Sequence, residues 1–312
     1  MKNFAITGVG GYIAPRHLKA IQDTGNRLVA AADPHDAVGV LDRFAFDVRF
    51  FNEIERFDRH LEKLRRGPAE HRVDYVSICA PNHLHDAHIR LALRTGADVI
   101  CEKPLVINPW NLDGLEAMEK ETRRRVFTIL QLRLHPSVVA LRDRVKQAVA
   151  ADPGRQFEVD LDYVTSRGAW YFSSWKGEAQ KSGGIVTNIG IHFFDMLLWI
   201  FGDVVESDVS QLSDDSAAGR FRFPNASVRW FLSVNSSHLP EAASARGART
   251  YRSIRLDGEE IEFSDGFTDL HTASYAHILN GEGFGIADAR PSISLVHAIR
   301  TAGQAGRIDL PQ

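Results

Sequence analysis

The sequence predicts a two-domain α/β protein, in which a doubly wound parallel sheet over residues 1–150 precedes an α/β domain with a largely antiparallel sheet over residues 151–312. Three observations carry that prediction. At 312 residues the chain exceeds what one hydrophobic core usually organises. Short apolar runs alternate with amphipathic stretches as far as Leu130, the pattern of parallel strands joined by helical crossovers. Beyond the turn cluster Asp152-Pro153-Gly154 the strand-like runs follow one another directly, with one long helical stretch among them.

In chain order, first-domain strands are expected at Phe4 to Thr7, Leu28 to Asp33, Val48 to Phe51, Tyr75 to Cys79, Val99 to Glu102 and Val126 to Leu130. Helices are expected at Pro15 to Asp23, Phe57 to Arg66, His83 to Thr95 and Leu112 to Glu121, and Gly25, Gly67 and Gly96 follow three of them as stops. A helix near Pro136 to Val149 leads to the boundary. Downstream strands are expected at Phe157 to Val164, Val204 to Leu212, Ala226 to Ser233, Arg252 to Leu256 and Glu260 to Phe263, with Leu256-Asp257-Gly258-Glu259 as a hairpin turn. A helix from about Asn188 to Phe201 interrupts them, and helices near Leu270 to Leu279 and Ser292 to Ala302 close the chain.

Composition narrows the class. With 44% hydrophobic and 25% charged residues, the chain is neither disordered nor fibrous. A formal net charge of -3 supplies no general attraction to nucleic acid, and the basic runs at 63–66 and 123–125 fall at helix ends, where cations complement the dipole. Cys79 and Cys101 end buried-strand runs and read as a reduced pair, as in a cytoplasmic protein. The longest apolar stretch, Phe193 to Phe201, is far shorter than the roughly 20 residues that cross a bilayer, so neither a membrane span nor a signal peptide is expected.

The first strand runs into Gly8-Val9-Gly10-Gly11-Tyr12-Ile13-Ala14 and then a helix with Pro15 in its first turn. Glycines there let the backbone approach a pyrophosphate, and the unpaired N–H groups of the helix start hydrogen-bond its oxygens. Ile13 stands where a glycine is usual, so the match is to Gly8, Gly11 and Ala14. Asp33 follows Gly11 by 22 residues, at the end of the second strand. A carboxylate at that point accepts from the adenosine ribose hydroxyls and repels a 2'-phosphate, which favours NAD over NADP. The turns Ala80-Pro81-Asn82-His83-Leu84-His85 and Cys101-Glu102-Lys103-Pro104 end the fourth and fifth strands and are expected to face the nicotinamide. Gly8, Gly11, Tyr12, Ile13, Asp33, Ala80, Pro81, Asn82, His85, Glu102, Lys103 and Gln131 are the candidate cofactor residues. His83, His85 and His88 lack a partner set for a metal, and no metal is expected.

If a helix begins near Asn188, then Asn188, His192 and Asp195 share one face of it, after a Gly183-Gly184 entry. Glu102-Lys103-Pro104, Pro81-Asn82 with His85, and Gly183-Gly184 with His192 and Asp195 together resemble the Gfo/Idh/MocA oxidoreductase family, over almost the whole chain. Within it, the segments 168–177, 188–197 and 267–272 are similar to the subgroup that oxidises C3' of UDP-N-acetylglucosaminuronate for bacterial lipopolysaccharide sugars. The resemblance implies a Rossmann domain, a C-terminal α/β domain with an open sheet, and a homo-oligomer, dimer or tetramer, formed through that sheet.

Removing a hydride from a carbinol requires a base for the hydroxyl proton. Lys103 and His192 are the candidate catalytic and substrate-orienting pair: a positive nicotinamide ring beside a partly desolvated lysine favours the neutral amine, and an imidazole titrates near neutrality unaided. Which of the two acts first is open. Where dehydrogenases of this family usually carry Asp, the chain has Asn188, which is expected to spare a uronate repulsion while still bonding the sugar. Arg167 and Lys176 bracket the aromatic loop of Trp170, Tyr171 and Trp175, and these charges and rings suit a UDP-linked amino-uronic acid; Arg133 and His135 are further cations for the same cleft. An oxidoreductase of another sugar, inositol or dihydrodiol, and a cofactor-sensing regulator on the same fold, remain as alternatives.

Overall fold

Residues 3–7 are buried along their whole length and form strand β1 (Asn3–Thr7). The computed structural model describes residues 1–261, 269–302, 306–308 and 310. From β1 the chain alternates: α1 (Ala14–Asp23), β2 (Arg27–Ala32), α2 (Val38–Leu41), β3 (Arg49–Phe51), α3 (Ile54–Arg66), β4 (Tyr75–Ile78), α4 (His85–Arg94), β5 (Asp98–Cys101), α5 (Trp110–Thr122) and β6 (Val126–Thr128). These six strands pair in the order β3-β2-β1-β4-β5-β6, all parallel. The order reverses between β1 and β4, which leaves a crevice at the carboxyl ends of those two strands, where such sheets bind ligands. Gly25 and Gly96 end α1 and α4 with φ of 71° and 83°, a conformation glycine adopts without Cβ strain.

The second half continues with α6 (Pro136–Ala151), β7 (Phe157–Thr165), α7 (Ala179–Ser182), α8 (Ile191–Phe201), β8 (Glu206–Leu212), β9 (Ser216–Arg222), β10 (Ala226–Ser233), α9 (Glu241–Ala245), β11 (Thr250–Leu256), β12 (Glu259–Glu260), α10 (Leu270–Leu279), α11 (Ile286–Ala302) and β13 (Gly306–Ile308). Its sheet runs β12-β11-β7-β10-β9-β8-β13, and only the β7/β10 pair is parallel among the described residues. The architecture is therefore the expected one, a Rossmann sheet and a largely antiparallel open sheet. The turn at Asp257-Gly258 has φ of 52° and 83°, the positive values a two-residue hairpin of this twist requires. Of the strand expected at Glu260 to Phe263, residues 262 and 263 lie outside the described residues, as do Phe267 and Thr268.

Strand β9 is absent from the sequence prediction, because Ser216-Ala217-Ala218-Gly219 has little strand propensity. It forms through packing: the Trp230 indole lies over Gly219, where a Cβ would come within 2.6 Å of the ring. Residues 179–201 are by length and composition long and apolar enough to cross a bilayer, which the shorter run Phe193 to Phe201 did not indicate; 72% of their most apolar window is buried in the protein. That apolarity serves packing. Phe194 meets Phe221 and Trp230, and Phe201 meets Phe157 and Phe223, so the helix covers the inner face of the sheet.

The chain divides into two compact units, Met1–Gln131 with Asp269–Arg290, and Leu132–Thr268 with Pro291–Gln312. The division falls at 131/132 rather than near 150, since α6 packs on α8 of the second unit. Segment 269–290 belongs to the first unit because α10 packs on α1 and places Tyr275 against Phe4 and His17.

Candidate active site

In the first unit, the glycine turn is drawn tightly against the neighbouring strand ends. Gly8 has φ of 75°, and a Cβ on it would come within 2.5 Å of the Cys79 and Ala80 backbone. Only glycine fits both constraints. The Gly8 N–H donates to Ala32 O (2.8 Å) and the Gly11 N–H to Gly8 O (3.0 Å), leaving Tyr12 89% exposed and Ile13 half-buried at the start of α1, which has no side-chain cap. Asp33 is 8% exposed; its Oδ2 accepts the Gly10 N–H (2.9 Å) and its Oδ1 the His35 N–H (2.9 Å). The carboxylate thus holds the glycine turn against β2, and each oxygen has capacity to accept a further hydrogen bond. Gly10 was not among the sequence candidates, although it stands in the glycine run.

A second turn follows β4. Ala80 and Pro81 lead into a single 3-10 turn, Asn82–Leu84, that opens α4, and Asn82 is 5% exposed. His85 is fully buried, with Nδ1 2.7 Å from Pro104 O and Nε2 2.8 Å from Ala80 O, so it ties this turn to the Glu102-Lys103-Pro104 turn. His88 meets Thr7 Oγ1 at 3.0 Å, and burial, then the neighbouring His85 and His83, push its pKa down to about 4. Gln131, after β6, has its carboxamide oxygen buried without a partner among the described residues. An orphaned acceptor and a glycine cradle that any Cβ would fill are what a bound dinucleotide requires, and the residues fit NAD.

Lys103 is half-buried in the turn after β5, and its peptide bond to Pro104 is cis. The preceding Glu102 is 7% exposed and turns inward: Oε1 accepts from His17 Nε2 (2.9 Å) and His271 Nε2 (2.9 Å), while Oε2 accepts the Lys103 N–H (3.2 Å). Burial opposes its ionisation, but the two histidine hydrogen bonds outweigh it and hold the carboxyl well below the usual range. Burial also lowers the pKa of His17, which keeps that ring neutral. The three groups lie within 4.8 Å of one another, a grouping of metal-capable donors that the sequence did not reveal. At these nitrogen–oxygen separations the contacts have the geometry of hydrogen bonds.

In the second unit, Gly183 and Gly184 take φ of 83° and 73°, and the chain then makes a π-helical turn, Val186–Gly190, before α8. The sequence prediction of a plain helix from Asn188 is corrected here: the wider turn rotates Asn188 relative to His192 and Asp195, so ideal α spacing does not relate them. The Asn188 amide donates to Tyr171 Oη (3.1 Å), and both side chains are buried. His192 is half-buried on α8. Asp195 forms a buried pair with Arg133, and His135 caps α6 by accepting the Ser137 N–H (3.2 Å). Both side chains therefore have structural work. In the aromatic loop Trp170 and Arg167 are exposed, whereas Lys176 is half-buried over the Trp175 ring, 4.5 Å from its centroid, and burial then Arg167 lower its pKa.

The sequence model described as oxidoreductase family, NAD-binding Rossmann fold, matches residues 2–130, and that described as oxidoreductase family, C-terminal alpha/beta domain, matches residues 154–306. Among solved structures, the chain is similar to the WlbA (WbpB) dehydrogenase from Thermus thermophilus. In complex with NAD and UDP-GlcNAcA that protein is 48% identical with a TM-score of 0.91, covering 100% of this chain and 97% of its own. In complex with NAD and alpha-ketoglutarate the identity is 49%, with the same score and coverage. Among curated proteins, the inositol 2-dehydrogenase of Rhizobium meliloti (strain 1021) is 28% identical over 203 residues, 64% of this chain and 55% of that relative. The chain spans about half the length of the curated relatives it matches.

Proposed function

Since the chain belongs to the Gfo/Idh/MocA oxidoreductase family through both its NAD-binding and its C-terminal domain, we propose that it oxidises the C3' hydroxyl of UDP-N-acetyl-D-glucosaminuronate with NAD, as a step towards bacterial lipopolysaccharide sugars. The observation that carries this reading is the 48% identity, over the full chain, to a dehydrogenase crystallised with that cofactor and that sugar nucleotide. The curated inositol relative, at 28% identity over part of the chain, supports a different substrate far less.

When bound, NAD would supply the acceptor for the hydride leaving C3'. Gly8, Gly11 and the first N–H groups of α1 would hold its pyrophosphate, Asp33 its adenosine ribose, and Ala80, Pro81, Asn82, Glu102 and Gln131 its nicotinamide end. Lys103 and His192 orient the hydroxyl and take its proton, since a secondary alcohol that loses a hydride becomes a protonated ketone unless a base removes the proton. Asn188 acts through its direction of donation. Its amide gives a hydrogen to Tyr171, which leaves the tyrosine's own O–H to donate to the sugar; an aspartate would consume that proton. Arg167, Trp175 and Lys176 take the uronate and diphosphate charges and the flat ring. Two buried free thiols, Cys79 and Cys101, support a reducing compartment such as the cytoplasm, and the open sheet supports assembly of copies.

The test is incubation with NAD and UDP-N-acetylglucosaminuronate, followed by mass analysis of the sugar. Loss of two hydrogens with matching NADH absorbance is expected. A sugar returned unchanged, while an inositol or free sugar is oxidised, removes the reading.

A further inference from the structure

Glu102 lies at the end of a one-way chain of hydrogen bonds that the reaction itself does not use. Ser77 Oγ meets Tyr275 Oη at 2.6 Å, Tyr275 Oη meets His17 Nδ1 at 2.8 Å, and His17 Nε2 meets Glu102 Oε1 at 2.9 Å; His271 Nε2 reaches the same oxygen from the other side. Ser77, His17 and Tyr275 are 0% exposed, and His271 is 2% exposed. With each imidazole carrying a proton on Nε2 and His17 accepting at Nδ1, every link has one donor and one acceptor: Ser77 gives to Tyr275, Tyr275 to His17, and His17 and His271 to an ionised Glu102. His271 Nδ1 is left buried and without a partner among the described residues. A buried group left unsatisfied needs a reason, and Nε2 provides it.

We propose that His17 and His271 are positioning residues for Lys103, acting through Glu102. The carboxylate cannot swing away without leaving a charge buried and unpaired, so it fixes the backbone that it also accepts from, the Lys103 N–H. His85 secures the other side of the lysine by its contact with Pro104 O. Segment 269–290, far along the chain, thus completes the Glu102-Lys103-Pro104 turn by supplying His271 and Tyr275. Nothing in sequence spacing connects these positions.

The kinetic consequence rests on the reading of Lys103 as a catalytic residue; the structural consequence does not. In His271→Gln the side-chain amide nitrogen takes the place of Nε2, whereas in His271→Asn it takes the place of Nδ1 and cannot reach Glu102. In the full chain, His271→Asn is expected to speed amide hydrogen exchange in segment 102–105 and to lower kcat, each by about tenfold, the scale of one hydrogen bond, while the KM for NAD changes less than about twofold. His271→Gln is expected to restore both. Tyr275→Phe, which keeps the ring and removes one link, is expected to move both in the same direction by less, and it serves if the Asn variant does not fold. Gln and Asn variants that behave alike, exchange in 102–105 that neither changes, or one equivalent of a divalent metal bound to wild type and lost in His271→Asn would each overturn the proposal. Should wild type oxidise no sugar nucleotide, the proposed function fails, and the exchange measurement still decides the positioning.

Discussion

Arg133 and Asp195 meet in a two-bond ion pair inside the second unit, Nε to Oδ2 at 2.9 Å and Nη2 to Oδ1 at 2.8 Å, with side chains 7% and 3% exposed. The pair anchors α8, which carries His192, to the segment just before α6. Removing one partner leaves the other charged and buried, so Arg133→Met is expected to cost about 3 kcal/mol of stability. The double variant Arg133→Met with Asp195→Leu is expected to recover most of it. Urea denaturation midpoints of the three proteins check both statements.

Gly8 is the position where the cofactor turn tolerates least. Its φ of 75° and the backbone 2.5 Å from a notional Cβ make Gly8→Ala strained twice over. NAD affinity is expected to fall at least about tenfold, the equivalent of roughly 1.4 kcal/mol of that strain. Titration calorimetry measures it, and unchanged affinity would contradict the role given to this turn.

Asn188 and Tyr171 make a sharper prediction about specificity. Asn188→Asp turns a donor into an acceptor and adds a charge at the proposed sugar site, so the KM for UDP-N-acetylglucosaminuronate is expected to rise far more than that for UDP-N-acetylglucosamine, whose sugar is uncharged. Tyr171→Phe is expected to raise both alike, by about five- to tenfold for one lost hydrogen bond. Equal effects of the aspartate on the two substrates would contradict the assignment.

Lys103→Ala and His192→Ala are each expected to lower kcat by about two to four orders of magnitude, the range of a positioned general base. NAD binding by His192→Ala is expected to stay near the wild-type value, which fluorescence titration checks independently of turnover.

His88 gives stability a pH dependence of known sign. Its folded pKa of about 4 lies below the unfolded value near 6.5, so between those values the unfolded chain holds the extra proton. Its contribution is complete above about pH 6.5 and is lost as pH falls towards 4, by about 3 kcal/mol in all. Burial lowers the pKa of His17 and His85 in the same direction. In His88→Gln the slope of unfolding free energy between pH 4 and 6.5 is expected to be shallower, as measured by urea denaturation across that range.

The sequence by itself determined the two sheets, the glycine turn with Asp33, and the strand-end turns with Lys103, because these are set by period, by glycine's backbone freedom and by short spacings along the chain. Strand β9 escaped it, since a Ser-Ala-Ala-Gly run becomes a strand only under the Trp230 ring. The π-helical turn at Val186–Gly190 escaped it too, because a wider turn leaves no mark on apolar periodicity. Only the tertiary structure decided that Arg133 pairs with Asp195 instead of remaining available to a substrate. It alone gathered Ser77, Tyr275, His17 and His271 on Glu102. The physical reason is common to all of these: local pattern encodes which face of an element is buried, whereas the partner of a buried polar group is chosen by three-dimensional packing of segments up to 258 residues apart.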